Sequence, residues 1–221
     1  MTPPNLLTLI RNRAAETSAG FWSNLEIYDY MWLGEIILAQ RTGCTESSGT
    51  FDTVSGTREY TISTSVGTDV MTISRVTWYT YPLEKTDLNG VDVLEGVSYG
   101  SSGQSGQPTA YYEYANEIGF SPNPNAAQEC KVFYRAKPVK LTASSTSFTV
   151  PDEYGNYLAE YCLYLMFMKD QELKTEAANY FSQWEVNVKL AVADWAKRKN
   201  KFRNNVVRDV AVGTSWRRMY S

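Results

Sequence analysis

Residues 21–43 read FWSNLEIYDYMWLGEIILAQRTG and carry the clearest structural signal in the chain. Ser23 and Glu26 form a capping-box sequence, in which the serine hydroxyl accepts a hydrogen bond from an amide left unpaired at the helix start. Gly43 supplies a residue that can leave a helix in the left-handed conformation. This stretch therefore predicts a helix over residues 24–41, whose apolar face comprises Ile27, Tyr30, Met31, Gly34, Ile37 and Leu38.

Three further helices are predicted near the two ends of the chain. Pro3-Pro4 suits a first helical turn, and the apolar pattern that follows predicts a helix ended by Gly20. Pro151-Asp152-Glu153 begins another, because proline and acidic residues are favoured in a first turn. The last predicted helix ends in Lys197-Arg198-Lys199. Its apolar residues alternate between spacings of four and three, which is typical of a packed helical seam: Ala177, Phe181, Trp184, Val188, Ala191 and Trp195.

The middle of the chain changes to Ser, Thr and Gly with alternating β-branched and aromatic residues, which favours strands. Strands are predicted at Tyr60 to Ile62, 70–79, 108–114, 117–121, 131–135 and 147–150, and a mobile loop at Ser98 to Gln107. We therefore predict an α+β fold. A four-helix bundle is formed by the N- and C-terminal helices (residues 1–46 and 151–200), with an inserted all-β module (47–150) and an extended C-terminal tail (201–221).

The composition excludes several classes of enzyme. The chain contains no histidine, so Ser-His-Asp and Cys-His catalytic pairs and histidine-ligated metal sites are impossible. Its three cysteines are an odd number without CxxC spacing, which predicts reduced, semi-buried thiols rather than a disulfide framework or zinc cluster. We expect no metal, no cofactor and no catalytic residue. No apolar run is long enough to span a membrane, and the N-terminus lacks the pattern of a signal peptide.

The charge of the chain is unevenly distributed. The net charge is -3, yet the residues from Lys197 onward carry +7, leaving -10 for residues 1–196. Within this basic end, Val206, Arg208, Val210 and Val212 alternate with other residues, and no later strand is available to pair with them. This pattern predicts a segment that is disordered when free and adds as a strand to a partner protein.

Three sets of residues resemble the head-to-tail connector, or adaptor, proteins of short-tailed and related tailed phages. The resemblance covers nearly the whole chain and departs in the long stretch from Ser98 to Gln107. The first set is residues 21–41, and the third is Val150 to Tyr154, leading into the late helices. The second set lies in the predicted strands: Gly106-Gln107-Pro108 followed by Tyr111, Ile118, Phe120, Pro122 and Pro124.

The resemblance implies a structural protein of the virion neck, made in the host cytoplasm, that is not an enzyme. It implies a dodecameric ring between the portal protein and the tail nozzle protein, with DNA passing through the lumen without sequence-specific binding. Contact with the portal would then fall on the C-terminal tail. Its candidate docking residues are Lys201, Phe202, Arg203, Val206, Val207, Arg208, Trp216, Arg217, Arg218 and Tyr220.

Two other functions are compatible with parts of the sequence. A tail-associated muralytic enzyme would need two carboxylates, for which Glu26, Asp29, Glu153 and Glu172 are candidates, although helix caps and solvated faces explain these residues. A nucleic-acid-binding virion protein would use the basic tail on phosphates. The pattern lacks stacked aromatic residues on a basic sheet or a recognition helix, and the acidic remainder of the chain would repel DNA.

Overall fold

A computed structural model describes residues 1–16, 20–95, 104–170 and 173–215, and within the last helix the side chains as far as Lys199. The elements in chain order are α1 (Pro3–Arg13), α2 (Asn24–Thr42), β1 (Glu46–Asp52), β2 (Glu59–Thr61), α3 (Ile62–Ser65), β3 (Val70–Trp78), β4 (Tyr81–Lys85), α4 (Leu88–Glu95), β5 (Ser105–Gly106), β6 (Ala110–Tyr114), β7 (Glu117–Ser121), β8 (Asn123–Pro124), β9 (Glu129–Ala136), α5 (Asp152–Gly155), α6 (Tyr157–Lys169) and α7 (Lys174–Ser215).

The chain divides into two compact units. The first, a helical unit, combines Met1–Cys44 with Pro138–Ser221, and the second, a sheet unit, is Thr45–Lys137. The predicted α+β class is therefore correct. The sheet unit includes the short helices α3 and α4, so it is not all-β as predicted. Residues 138–150, which the sequence analysis assigned to the β module, group with the helices.

Helix α2 forms where the capping pattern predicts it. The Ser23 hydroxyl oxygen accepts from the Glu26 amide at 3.2 Å, and Gly43 ends the helix with a φ of 67°. Helix α1 ends earlier than predicted, at Arg13 instead of near Gly20. The buried Arg11 side chain accounts for the early turn, because its guanidinium donates to Asn24 Oδ1 and to the Trp22 carbonyl oxygen.

One apolar core holds the helical unit together. Buried side chains from α1, α2, α6 and α7 meet in it, among them Leu6, Ile10, Met31, Leu158, Leu163 and Trp184. Helices α2 and α6 approach closely at Gly34, where an added Cβ would lie 3.1 Å from atoms of Leu158 and Tyr161.

The third predicted helix is interrupted after Gly155, where α5 ends after one turn and α6 follows. Gly155 and Asn156 are weak helix formers, which is consistent with the break.

The sheet unit contains a seven-stranded sheet in the order β1-β9-β3-β4-β6-β7-β2. Its pairings are antiparallel except for that of β4 with β6. The sheet curls until its first and last strands meet, since the rings of Phe51 and Tyr60 lie 5.0 Å apart. The inward faces enclose a second apolar core that includes Ile73, Val76, Tyr111, Ile118, Phe120 and Val132.

Several local predictions fail in and next to the sheet unit. Residues 147–150 are irregular and do not form a strand, because the amides of Thr149 and Val150 donate to Glu35 rather than to a neighbouring strand. Strands β1 and β4 and helix α4 were not predicted. Within the predicted loop, Ser105–Gly106 pairs in parallel with Asn123–Pro124, whereas residues 98–103 lie outside the described residues.

The three cysteines are buried and free, as predicted. Burial raises the pKa of Cys130 to about 12 and raises that of Cys162 well above its ordinary value. Both thiols therefore stay protonated and chemically quiet. In the described part of the chain, no helix combines the length and apolar character needed to cross a bilayer.

Candidate functional site

Six of the candidate docking residues lie on the C-terminal part of α7, and the preceding part of that helix packs on the helical unit. Ala177, Trp184, Val188 and Ala191 are buried in the helical unit, while Phe181 is 40% exposed. Among the α7 side chains that the structure describes, Trp195 is the last that packs on this core, and residues 196–199 are exposed. The helix nevertheless continues to Ser215, which is about 30 Å beyond Trp195 at 1.5 Å per residue.

A polar cluster joins α5 to α7 at the end of the packed region. Arg198 donates to Glu153 Oε1 at 2.7 Å and lies 2.9 Å from Asp194 Oδ2. The Tyr154 hydroxyl donates to the same Asp194 oxygen at 2.7 Å. This hydrogen bond, with help from Arg198, lowers the pKa of Asp194, and burial followed by the contact with Asp194 raises the pKa of Tyr154. We call Glu153, Tyr154, Asp194 and Arg198 the α5–α7 clamp.

Trp195 sits beside the clamp with two cations over its ring. Arg198 and Lys199 lie 6.0 and 5.9 Å from the ring centroid. The Trp195 indole nitrogen is buried, and no acceptor for it lies among the described residues. The clamp therefore joins α7 to α5 at the position of Trp195.

The predicted docking residues fall in two groups. Lys201, Phe202, Arg203, Val206, Val207 and Arg208 lie on the helical backbone of α7. Trp216, Arg217, Arg218 and Tyr220 lie outside the described residues.

The expectation of an extended segment for residues 201–215 is corrected, because α7 runs through them. Val206, Arg208 and Val210 follow one another at intervals of two, which is the spacing of a strand. Val206 and Val210 are also four residues apart, and so are Val207 and Ala211, which is a helical spacing. The same sequence therefore satisfies helical spacing, and it contains no proline that would stop a helix already nucleated by packing.

The carboxylates considered for a muralytic site are engaged in ion pairs. Glu26 lies 3.0 Å from Lys169 Nζ and accepts from the Tyr30 hydroxyl, while Asp29 lies 2.9 Å from Lys140 Nζ. Glu153 belongs to the α5–α7 clamp, and Glu172 lies outside the described residues. Each described candidate thus has a structural partner.

Sequence reasoning missed one buried carboxyl, that of Glu35 in the middle of α2. Glu35 is fully buried, and its Oε1 accepts from the amides of Thr149 at 2.7 Å and Val150 at 3.2 Å. Oε2 is buried without a hydrogen-bond partner in the described part of the chain. Burial raises the pKa of Glu35 to about 7, although the two amides oppose that shift. Its position four residues after Met31, on the apolar face, was the available sequence signal.

A known protein family matches nearly the whole chain. The family model described as SU10 adaptor protein matches residues 1–209, which include the whole sheet unit and the helical unit as far as residue 209 of α7. A search of curated proteins found no match. Since the family model covers far more than half of the chain, this protein belongs to the SU10 adaptor family and is a structural adaptor component of a phage virion neck.

Proposed function

We propose that the protein forms a ring between the portal protein and the tail nozzle protein, and that the C-terminal part of α7 docks on the portal. The single observation that carries the proposal is the family match over residues 1–209. DNA passes through the lumen of this ring without sequence-specific binding, and the ring is dodecameric, as in the phage adaptors that the chain resembles.

The course of α7 supports the docking role. The helix continues for about 30 Å beyond Trp195, and the segment begins with the exposed residues 196–199. That segment is cationic in sequence, with apolar residues among the cations. Phe202, Val206 and Val207 fill apolar pockets of the portal, while Arg203 and Arg208 pair with its acidic groups. Trp216, Arg217, Arg218 and Tyr220 contribute to the same docking.

Deleting residues 201–221 tests the docking role. The truncated chain keeps Trp195 and the whole α5–α7 clamp, so we expect it to fold with an unchanged melting temperature. We expect its affinity for purified portal rings to fall at least tenfold, measured by surface plasmon resonance or co-sedimentation.

A scrambled tail is the matched control for this deletion. It keeps the length, composition and net charge of residues 201–221 but changes their order. Binding to portal that depends only on non-specific charge attraction is therefore retained by the scrambled variant. We expect the scrambled variant to bind portal nearly as weakly as the deletion. Unchanged portal affinity of the deletion variant would contradict the docking role, and a tail that binds only free duplex DNA would favour the nucleic-acid alternative.

A further inference from the structure

The outward face of strands β1, β9 and β3 carries cations around one half-exposed aromatic ring. Phe133 lies at its centre, with Lys131 Nζ 5.2 Å and the Arg75 guanidinium carbon 5.9 Å from the ring centroid. Arg135 shares this face, because alternate residues of a strand point to the same side. We call Arg75, Lys131, Phe133 and Arg135 the cationic face.

The sheet holds the cationic face rigidly. Ser48 of β1 and Arg75 of β3 are the register partners of Phe133 on its two sides. The intervening β9 residues are buried in the core of the sheet unit: Cys130, Val132, Tyr134 and Ala136. Because these neighbours are fixed by packing, the outward side chains are presented from a fixed backbone.

The cationic face also has an opening beside its ring. A pocket of about 230 Å³ is lined by Glu46, Ser47, Ser74, Arg75, Phe133 and Tyr134. None of the ion pairs formed among the described residues involves Arg75, Lys131 or Arg135. Arginine and aromatic side chains are enriched at protein interfaces, so Arg75 and Phe133 beside a pocket are suited to binding another protein.

The partner that suits this face is acidic. Residues 1–196 carry a net charge of -10 in spite of these three cations, so the remaining surface of another copy is rich in carboxylates. The three cations lie together around Phe133, so a self-contact centred on that ring would oppose like charges. A contact with a different, acidic surface of another copy avoids this repulsion, and such head-to-tail contacts form a ring when the rotation between copies closes.

We propose that the cationic face is a subunit interface, which docks on an acidic surface of the neighbouring copy in the adaptor ring. This inference rests on the ring of the proposed function and names one of its contacting surfaces. Lys131 and Arg75 bind carboxylates of the neighbour, and Phe133 packs against the same neighbour.

Acidic residues at the borders of the face disfavour a nucleic acid as its occupant. Glu46 is the register partner of Arg135 at one end of the β1–β9 pair, and Asp52 and Glu129 are partners at the other end. A phosphate chain running along these strands would meet carboxylates at both ends, whereas separate carboxylates on a protein can match the three cations individually. Binding of single strands also relies on several stacked rings, and this face offers only Phe133 among its named residues.

Reversing two charges of the cationic face tests the interface. In sedimentation experiments with the full-length protein, alone and with purified portal rings, we expect the wild type to form closed oligomers in at least one setting. We expect R75E/K131E to form these oligomers only at a protein concentration at least tenfold higher than the wild type needs. We also expect rising ionic strength to weaken the association of the wild type. The variant K174E/K189E makes the same change in net charge on exposed residues of α7, and we expect it to assemble like the wild type.

Zero-length carbodiimide crosslinking locates the contact independently of any substitution. In mixed isotopically labelled and unlabelled oligomers, we expect crosslinks from Lys131 to carboxylates of the other copy. Assembly of R75E/K131E at wild-type concentrations overturns the interface, even if it still docks on portal and the proposed function stands. If the wild type is monomeric both alone and with portal rings, the ring of the proposed function is contradicted as well. Oligonucleotide binding that is lost in R75E/K131E, with assembly unchanged, would make the face a nucleic-acid site instead.

Discussion

Glu35 shows how one residue can couple two distant parts of the chain. Its Oε1 holds the amides of Thr149 and Val150, which lie in an irregular segment with no strand or helix to satisfy them. Buried amides need acceptors, and a carboxylate provides a strong one. Its Oε2 has no partner among the described groups, so the ionised form is costly. The result is a carboxyl whose pKa is raised to about 7.

The substitution Glu35→Gln should change how stability depends on pH. Because the folded pKa is about 7 and the ordinary value is 4.5, the folded protein binds more protons than the unfolded chain between these values. The contribution of Glu35 to stability is therefore present below pH 4.5 and declines as pH rises to 7, by about 3 kcal/mol in all. Glutamine cannot ionise, so the stability of Glu35→Gln relative to wild type should rise over this window, measured by urea unfolding at pH 5 and 8.

The exposed carboxylate Glu176 on α7 provides the control for that measurement. We expect Glu176→Gln to show less change in relative stability between the two pH values. If the stability difference between Glu35→Gln and wild type were the same at pH 5 and pH 8, the raised pKa of Glu35 would be refuted.

Among the elements, strand β1 depends most on its neighbours. It reads ESSGTFD and carries little apolar alternation, yet it pairs over its whole length with β9. Phe51 then turns inward and meets Tyr60 of β2 and Phe120 of β7. Gly49 also faces the inside, where the backbone of Val66 passes close by. The close passage of Val66 by β1 therefore relies on the absence of a side chain at residue 49.

The substitution Gly49→Ala should destabilise the sheet unit. An added Cβ would lie 2.6 Å from the Val66 carbonyl oxygen and 3.1 Å from Val66 Cγ1, so the backbone itself must move. Overpacking of this kind costs about 1–3 kcal/mol. Urea unfolding should show the loss, whereas the neighbouring Ser48→Ala, on the exposed side of the same strand, should change stability by less than about 0.5 kcal/mol. Equal stability of Gly49→Ala and Ser48→Ala would contradict the close approach.

At the scale of the whole molecule, the chain enters and leaves the sheet unit at adjacent positions. Thr45 donates its hydroxyl to the Ala136 carbonyl oxygen at 2.7 Å, and the Ala136 amide donates to the Thr45 carbonyl oxygen at 2.7 Å. The sheet unit also has its own apolar core. Neighbouring ends and a separate core are the features of an inserted domain that can fold alone.

A fragment of residues 45–137 should therefore fold independently. We expect a circular dichroism spectrum typical of strands and a single cooperative thermal transition, since the fragment retains all seven strands of the curled sheet. A fragment of residues 53–137, which lacks β1, serves as the comparison and should lose that transition. A non-cooperative fragment 45–137 would mean that the sheet core is insufficient without the helical unit.

Local patterns in the sequence determined the elements whose signals lie close together along the chain. Ser23 and Gly43 define α2, and the turn at Ala115 and Asn116 separates the two strands of the β6–β7 hairpin. These features depend on hydrogen bonds and backbone preferences within a few residues, so their residue types are sufficient to predict them. The buried cysteines were likewise predictable from their number and spacing.

The tertiary structure decided the features that depend on residues far apart in sequence. Strand β1 forms because β9 pairs with it, residues 147–150 remain irregular because Glu35 satisfies their amides, and Arg11 ends α1 early. Arg75 and Phe133 of the cationic face come together only through the pairing of β3 with β9. The physical reason is that pairing and burial are non-local: a residue's own pattern cannot specify which distant group will supply its hydrogen bonds or cover its apolar surface.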